Sequence, residues 1–232
     1  MEEMRDASLE LLVDLARPTS HDAVLDYSSG AGIAGFAVAP DVRTVEAADE
    51  LPDMLEEGRR LAEELALWNV AFTLVDLYAL PYADGAFTLV LCRNAFHLLP
   101  EPEAALADLL RVTSTGGRIV VVDPVVDDVT DKAFNDLARL REPAHRRHYL
   151  PDEIEEIAAG AGLKVARRGS ARRTIDLDYW LQAAAVPAAK AALIRGRFRE
   201  LPVAVQAQMD IAFSDRSVSF SYDVLGLRLE RA

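Results

Sequence analysis

Short runs of consecutive apolar residues alternate along this chain with longer stretches in which apolar positions recur every three or four residues. Runs of the first kind read as strands buried on both faces, at about 23–28, 42–46, 71–76, 87–92 and 118–123, with a sixth near 163–168. Stretches of the second kind read as amphipathic helices. Residues 4–17 place Leu9, Leu12, Val13 and Ala16 on one face and stop at Pro18. Residues 52–68 are acidic in their first turn, where the helix dipole favours negative charge. Residues 102–112 carry a proline at an early helical position, and 151–161 close on Gly162. Strands alternating with helices in this order predict an α/β fold with a mostly parallel sheet and helices on both faces.

Two segments follow other patterns. Residues 127–141 form a polar helical stretch after the fifth strand. In 178–210, Trp180, Leu181, Val186, Ala189, Ala192, Leu193 and Phe198 suggest two or three helices broken at Pro187 and Pro202. Residues 218–230, rich in Val, Phe, Tyr and Leu, read as a last long strand. There is no repeat and no linker long enough to divide the chain, so 1–232 is expected to be one domain.

Composition narrows the function classes. With 25 basic against 38 acidic residues, a net charge of −13 repels a phosphate backbone, which argues against a nucleic-acid partner. No apolar run approaches the roughly 20 residues that span a bilayer. The first six residues are acidic where a secretory signal is basic, so a cytoplasmic location is expected. Cys92, the single cysteine, excludes an internal disulfide and lies inside an apolar strand, where it reads as a buried structural thiol.

The chemistry concentrates in Ala23-Val-Leu-Asp-Tyr-Ser-Ser-Gly-Ala-Gly32. A strand entering a Gly-rich turn lets backbone approach a ligand closely. Glu46, twenty residues past Asp26 (46 − 26), is expected at the tip of the second strand, placed to accept hydrogen bonds from both hydroxyls of a ribose. Asp76, or the backbone N–H of Leu77, is placed at the third tip to meet the edge of an adenine. Gly30-Ala-Gly-Ile-Ala-Gly35 also matches the dinucleotide fingerprint G-x-G-x-x-G. Against a nicotinamide cofactor stand Asp26 within the strand, the gap of only eleven residues from Gly35 to Glu46 (46 − 35), and the second acid.

On these residues the chain resembles the class I S-adenosylmethionine-dependent methyltransferases, and among them the small-molecule enzymes related to quinone biosynthesis. The motifs run in family order across about 20–170: Val24–Gly32, Val45-Glu46, Asp76-Leu-Tyr-Ala-Leu-Pro-Tyr82, Phe87–Pro100, Arg111–Asp123 and His145-Arg-Arg-His-Tyr149. The resemblance implies a Rossmann-like sheet of seven strands, the last antiparallel and inserted between the fifth and sixth. It implies S-adenosylmethionine as cofactor and an in-line transfer of its methyl group to a small-molecule acceptor. The cofactor set is then Asp26, Ser28, Ser29, Gly30, Gly32, Glu46, Asp76, Leu77, Arg93 and Asn94. Segment 127–141 occupies the position of the family's substrate cover, and with 178–210 it is expected to shape the acceptor pocket through Phe134, Tyr149 and Trp180.

His97, just after the fourth strand, is the catalytic candidate, because a neutral imidazole can take a proton from the attacking acceptor. The competing reading is a histidine that packs beneath the cofactor. His145, His148 and Tyr149 form a second polar cluster, and the histidines are scattered enough in sequence that no metal is expected. Two departures from the family pattern keep a non-catalytic binding protein open: Ser28 and Ser29 replace Gly and Cys or Ser, and Thr88 replaces an Asp.

Overall fold

The computed structural model describes residues 6–214 and 217–232, so positions 4 and 5 of the expected first helix lie outside the described residues. Helix α1 spans Ala7–Ala16, and Asp6 caps it by accepting the N–H groups of Ser8 and Leu9. Eight strands follow among the described residues: β1 (Ala23–Tyr27), β2 (Thr44–Asp49), β3 (Val70–Leu74), β4 (Phe87–Arg93), β5 (Thr113–Val125), β6 (Leu163–Asp176), β7 (Ala212–Phe213) and β8 (Val218–Arg231). Their helices are α2 (Ile33–Val38), α3 (Pro52–Glu64), α4 (Pro102–Val112), α5 (Asp131–Arg141), α6 (Pro151–Gly160), α7 (Leu177–Gln182), α8 (Ala188–Glu200) and α9 (Val203–Gln208).

The sheet order is β3-β2-β1-β4-β5-β8-β6, with β7 a two-residue addition to β8 that the seven-strand expectation lacks. Strands β1 to β5 pair in parallel, while β8 runs antiparallel between β5 and β6. Two apolar clusters cover the faces. One joins Leu12, Leu15 and Val38 to Leu91 and Val120; the other joins Leu25, Val90 and Val121 to Leu106 and Ile154. Burying each such side chain is worth about 1.5–3 kcal/mol. The order reverses between β1 and β4, which opens a crevice beyond the carboxyl ends of the strands.

Several boundaries differ from the sequence reading, among them the start of β5 at Thr113 rather than 118, and β2 and β6 show the physical reasons. Strand β2 continues past the polar interruption at Glu46 to Asp49, because Ala47, Ala48 and Asp49 pair with Phe72, Thr73 and Leu74. Strand β6 runs to Asp176 rather than ending at 168, since it is a sheet edge whose outward positions carry Arg167 and other polar residues that a periodicity argument discounts. Helix α3 ends at Glu64, four residues before the expected end at 68.

Thr88 lies at the amino-terminal edge of the sheet. Its hydroxyl donates to Asp22 at 2.7 Å and accepts the Ala23 N–H at 3.1 Å. Arg118 donates to both oxygens of the same carboxylate, at 3.0 and 2.8 Å. Burial opposes the charge on Asp22, but these donors win and hold its carboxyl far below the usual range.

Candidate functional site

The turn after β1 is left-handed at three positions: Ser28 (φ 52°), Gly30 (φ 54°) and Gly32 (φ 85°). Asp49, at the end of β2, fixes that turn. Its Oδ2 accepts the Gly30 N–H at 2.7 Å and its Oδ1 accepts the Leu51 N–H at 2.9 Å, while the Ser29 N–H donates to the Ala48 carbonyl at 3.1 Å. Asp26 accepts the Gly35 N–H at 2.7 Å from within β1. Burial pushes its carboxyl up to about 7, opposed by that hydrogen bond and by the charge of Arg93.

A cavity of about 640 Å³ opens over this loop. Asp26, Ser28, Ser29, Gly30, Leu77, Arg93 and Asn94 line it, as do Asp49, Glu50, Met54, Tyr78, Leu98, Glu142 and Arg146. A Cβ on Gly30 would come within 3.3 Å of the Met54 side chain, so the loop backbone itself is the cradle. Four acidic and two basic residues line it, a balance suited to a cationic nucleoside.

Three expected cofactor residues do not line this cavity. Gly32 caps α2 behind the loop. Glu46 is mid-strand, where its carboxylate takes hydrogen bonds from the hydroxyls of Thr73 and Tyr82; the strand-tip acid is Asp49, three residues further on. Asp76 is exposed and accepts the Tyr78 N–H at 2.8 Å, capping the turn while Leu77 faces the cavity. The signal for Asp49 was present in the sequence, as an Asp directly before Glu50-Leu-Pro52 and the acidic start of α3.

A second cavity of about 270 Å³ adjoins the first, and both are lined by Asn94, Leu98 and Glu142. Asn94, at the tip of β4, also adopts a left-handed conformation (φ 53°) and donates its N–H to the Val122 carbonyl. Arg93 turns back instead, and its guanidinium binds Asp6 at 2.9 Å and Ser8 at 2.8 Å.

His97 lines the second cavity on the turn Phe96–Leu98. Asp123 of β5 accepts the backbone N–H of Phe96 at 3.2 Å and of His97 at 3.1 Å, and its Oδ2 lies 2.8 Å from His97 Nδ1. The carbonyl of His97 accepts the N–H groups of Arg146 and Arg147, which draws the 142–148 loop over the strand ends. The histidines that are scattered in sequence therefore meet in space. Ring centroids of His97, His145 and His148 lie 4.5–5.5 Å apart. Burial and the neighbouring His97 hold His145 down at about 3 and hold His148 well below the usual range. Asn135 of α5 ties the loop down: its Oδ1 lies 2.8 Å from His145 Nε2 and accepts the His148 N–H at 2.7 Å.

Phe134 and Trp180 line this cavity, with Phe134 stacked on His148 at 4.8 Å and Trp180 carrying the Arg141 guanidinium 4.8 Å above its ring. Tyr149 does not join them. It packs on Phe96 at 5.5 Å within the apolar cluster of the opposite face. Of the three helices in 178–210, α7 and the residue following it reach the cavity, through Tyr179, Trp180 and Ala183.

Residues 18–164 match a family model described as a methyltransferase domain. An uncharacterized methyltransferase of Bacillus subtilis, YcgJ, is 29% identical over 182 residues, which cover 78% of this chain and 72% of that protein. A demethylmenaquinone methyltransferase of Thermus thermophilus is 39% identical over 114 residues, about half of each chain (48% and 51%). The crystal structure of the B. subtilis protein superposes with a TM-score of 0.87 at 25% identity, covering 97% of this chain and 98% of that one. Geranyl diphosphate methyltransferase in complex with SAM shares the fold at a TM-score of 0.65 and 19% identity, covering 97% of this chain and 85% of that one.

Proposed function

The chain belongs to the methyltransferase domain family, and we propose that it is an S-adenosylmethionine-dependent enzyme that methylates a small molecule held in the histidine-lined cavity. One observation carries this reading: the glycine-loop cavity and the histidine cavity meet at Asn94, Leu98 and Glu142, over the carboxyl ends of the strands. The cofactor, when bound, supplies a methyl group made electrophilic by a sulfonium.

The chain's own groups do the rest. The loop Ser28–Gly30 and Asp26 border the methionine part of the cofactor, Asp49 and Glu50 the ribose, and Leu77 with Tyr78 the base. Phe134 and Trp180 wall the acceptor, since pockets for small molecules are mostly apolar with a few placed polar groups. His97, with Nδ1 held by Asp123, turns Nε2 to the acceptor and takes the proton that a hydroxyl, thiol or amine releases. Alignment itself can supply roughly 7–11 kcal/mol, so the reaction requires little more from the side chains.

Calorimetric titration tests the reading. S-Adenosylmethionine and S-adenosylhomocysteine are expected to bind in a one-to-one ratio. A protein that bound neither, but bound a nicotinamide dinucleotide, would sink the proposal.

A further inference from the structure

His97, Asp123 and His148 come from three separate elements: the turn after β4, strand β5 and the loop before α6. Each offers one donor atom, and these atoms all lie within 4.8 Å of one another. All three residues are buried, at 7, 1 and 5% exposure. His148 Nδ1 meets no hydrogen-bond partner among the described residues, although a buried polar atom of this kind is costly to leave unpaired. The frame around them is fixed by backbone: Asp123 receives the N–H groups of Phe96 and His97, and Asn135 holds both the N–H and the carbonyl of His148.

Two imidazoles that line a cavity, with a buried carboxylate beside them, are a recurrent donor set for divalent first-row metals, with the remaining coordination positions left open. We propose that His97, Asp123 and His148 form a binding site for such an ion, with Zn²⁺, Co²⁺ and Fe²⁺ as the chemical class. Nitrogen donors disfavour Mg²⁺ and Ca²⁺, which take oxygen ligands. Zinc bonds to these donors are about 2.0–2.2 Å long, so an ion would take the place of the proton shared by His97 Nδ1 and Asp123 Oδ2, 2.8 Å apart, while the His148 ring turns toward it. The open positions face the cavity assigned to the acceptor. On the methyl-transfer reading, an acceptor hydroxyl held there would be acidified by the ion and would lose its proton to solvent, a task that falls to His97 when no ion is bound.

The experiment uses untagged full-length protein, stripped with a chelator and titrated with Co²⁺ under visible absorption. One equivalent of Co²⁺ is expected to give a ligand-field spectrum, and Zn²⁺ is expected to displace it. His21→Ala, which alters a histidine outside the cluster, keeps the spectrum; His148→Ala and the milder His148→Gln lose it. S-Adenosylmethionine titrations of the same variants report whether they are folded, and they separate failure of the ion site from failure of the methyltransferase reading. A wild-type protein with no stoichiometric Co²⁺ spectrum overturns the proposal. So does a spectrum that persists unchanged in a folded His148 variant.

Discussion

The Asp49 carboxylate accepts the Gly30 N–H at 2.7 Å, tying the end of the second strand to the turn that follows the first. A bond between a charged acceptor and the N–H of a half-buried loop is worth about 1.5–3 kcal/mol. Asp49→Ala is therefore expected to weaken S-adenosylmethionine binding by roughly tenfold to a hundredfold. Glu46→Gln, three residues earlier and turned toward Thr73 and Tyr82, is expected to leave affinity within about threefold, a change below 1 kcal/mol. Isothermal titration of both variants checks the assignment, and the reverse order of effects would restore Glu46 as the ribose acid.

Ser28 holds φ at 52°, a conformation that costs a residue with a Cβ on the order of 1–3 kcal/mol. Ser28→Gly relieves that strain, so thermal stability should rise and cofactor affinity should be equal or better. A large loss of affinity would instead identify the serine hydroxyl as a cofactor contact.

Asp26 titrates at about 7 in the folded protein against an ordinary value of 3.8, with burial as the main cause. The folded state thus holds this proton more tightly than the unfolded chain. Both states are protonated at pH 3, the penalty for ionising Asp26 grows as pH rises from about 4 to 7, and it is constant above that. Asp26→Asn is expected to gain stability relative to wild type across that window in urea melts at several pH values. Because a cationic cofactor favours the ionised carboxylate, wild-type binding near pH 6 should release a proton, visible as a dependence of calorimetric heat on buffer ionisation enthalpy. Equal heats in phosphate and Bis-Tris at that pH would contradict it.

Thr88→Val removes one donor from Asp22 and the acceptor of the Ala23 N–H. The expected loss is about 1–3 kcal/mol of unfolding free energy with no change in cofactor affinity, because the network lies at the opposite end of the strands from both cavities. Asp22 has the opposite sign from Asp26. Its depressed carboxyl stabilises the fold above the unfolded value and loses that contribution as acid protonates it.

His97→Ala should lower turnover by about 10²–10⁴ once an acceptor is in hand, while S-adenosylmethionine affinity stays near wild type. A parallel loss of cofactor affinity would reassign the ring to packing beneath the cofactor.

The sheet and the glycine loop were legible because both write local signals: consecutive apolar residues, and glycines where the backbone turns left-handed. Asp49 was missed because a strand position and its neighbour differ only in register, and Glu46 interrupts the apolar run where an ending was expected. The histidine cluster was illegible for another reason. His97 and His148 lie 51 positions apart (148 − 97), and what joins them is Asp123, a β5 residue that sequence reading passed over as the end of an apolar run. Tyr149 shows the limit of proximity in sequence, since it follows His148 and faces the other side of the sheet.

Strand β8 sits between β5 and β6, and its Leu229 pairs with Ile119, 110 positions away (229 − 119). In time, this means that the sheet stays open between β5 and β6 until residues 218–231 have been made. Strand β6 cannot dock on β5 in the meantime, because its register is written entirely on β8. Closing a loop of that length before its contacts can form is slow, so the amino-terminal half, β1 to β4 with the glycine loop, is set to fold first and to wait with the β5 edge open. An unpaired apolar edge of that kind is a target for other chains, which makes β8, synthesised after both of its partners, the strand that protects the nascent protein from its neighbours.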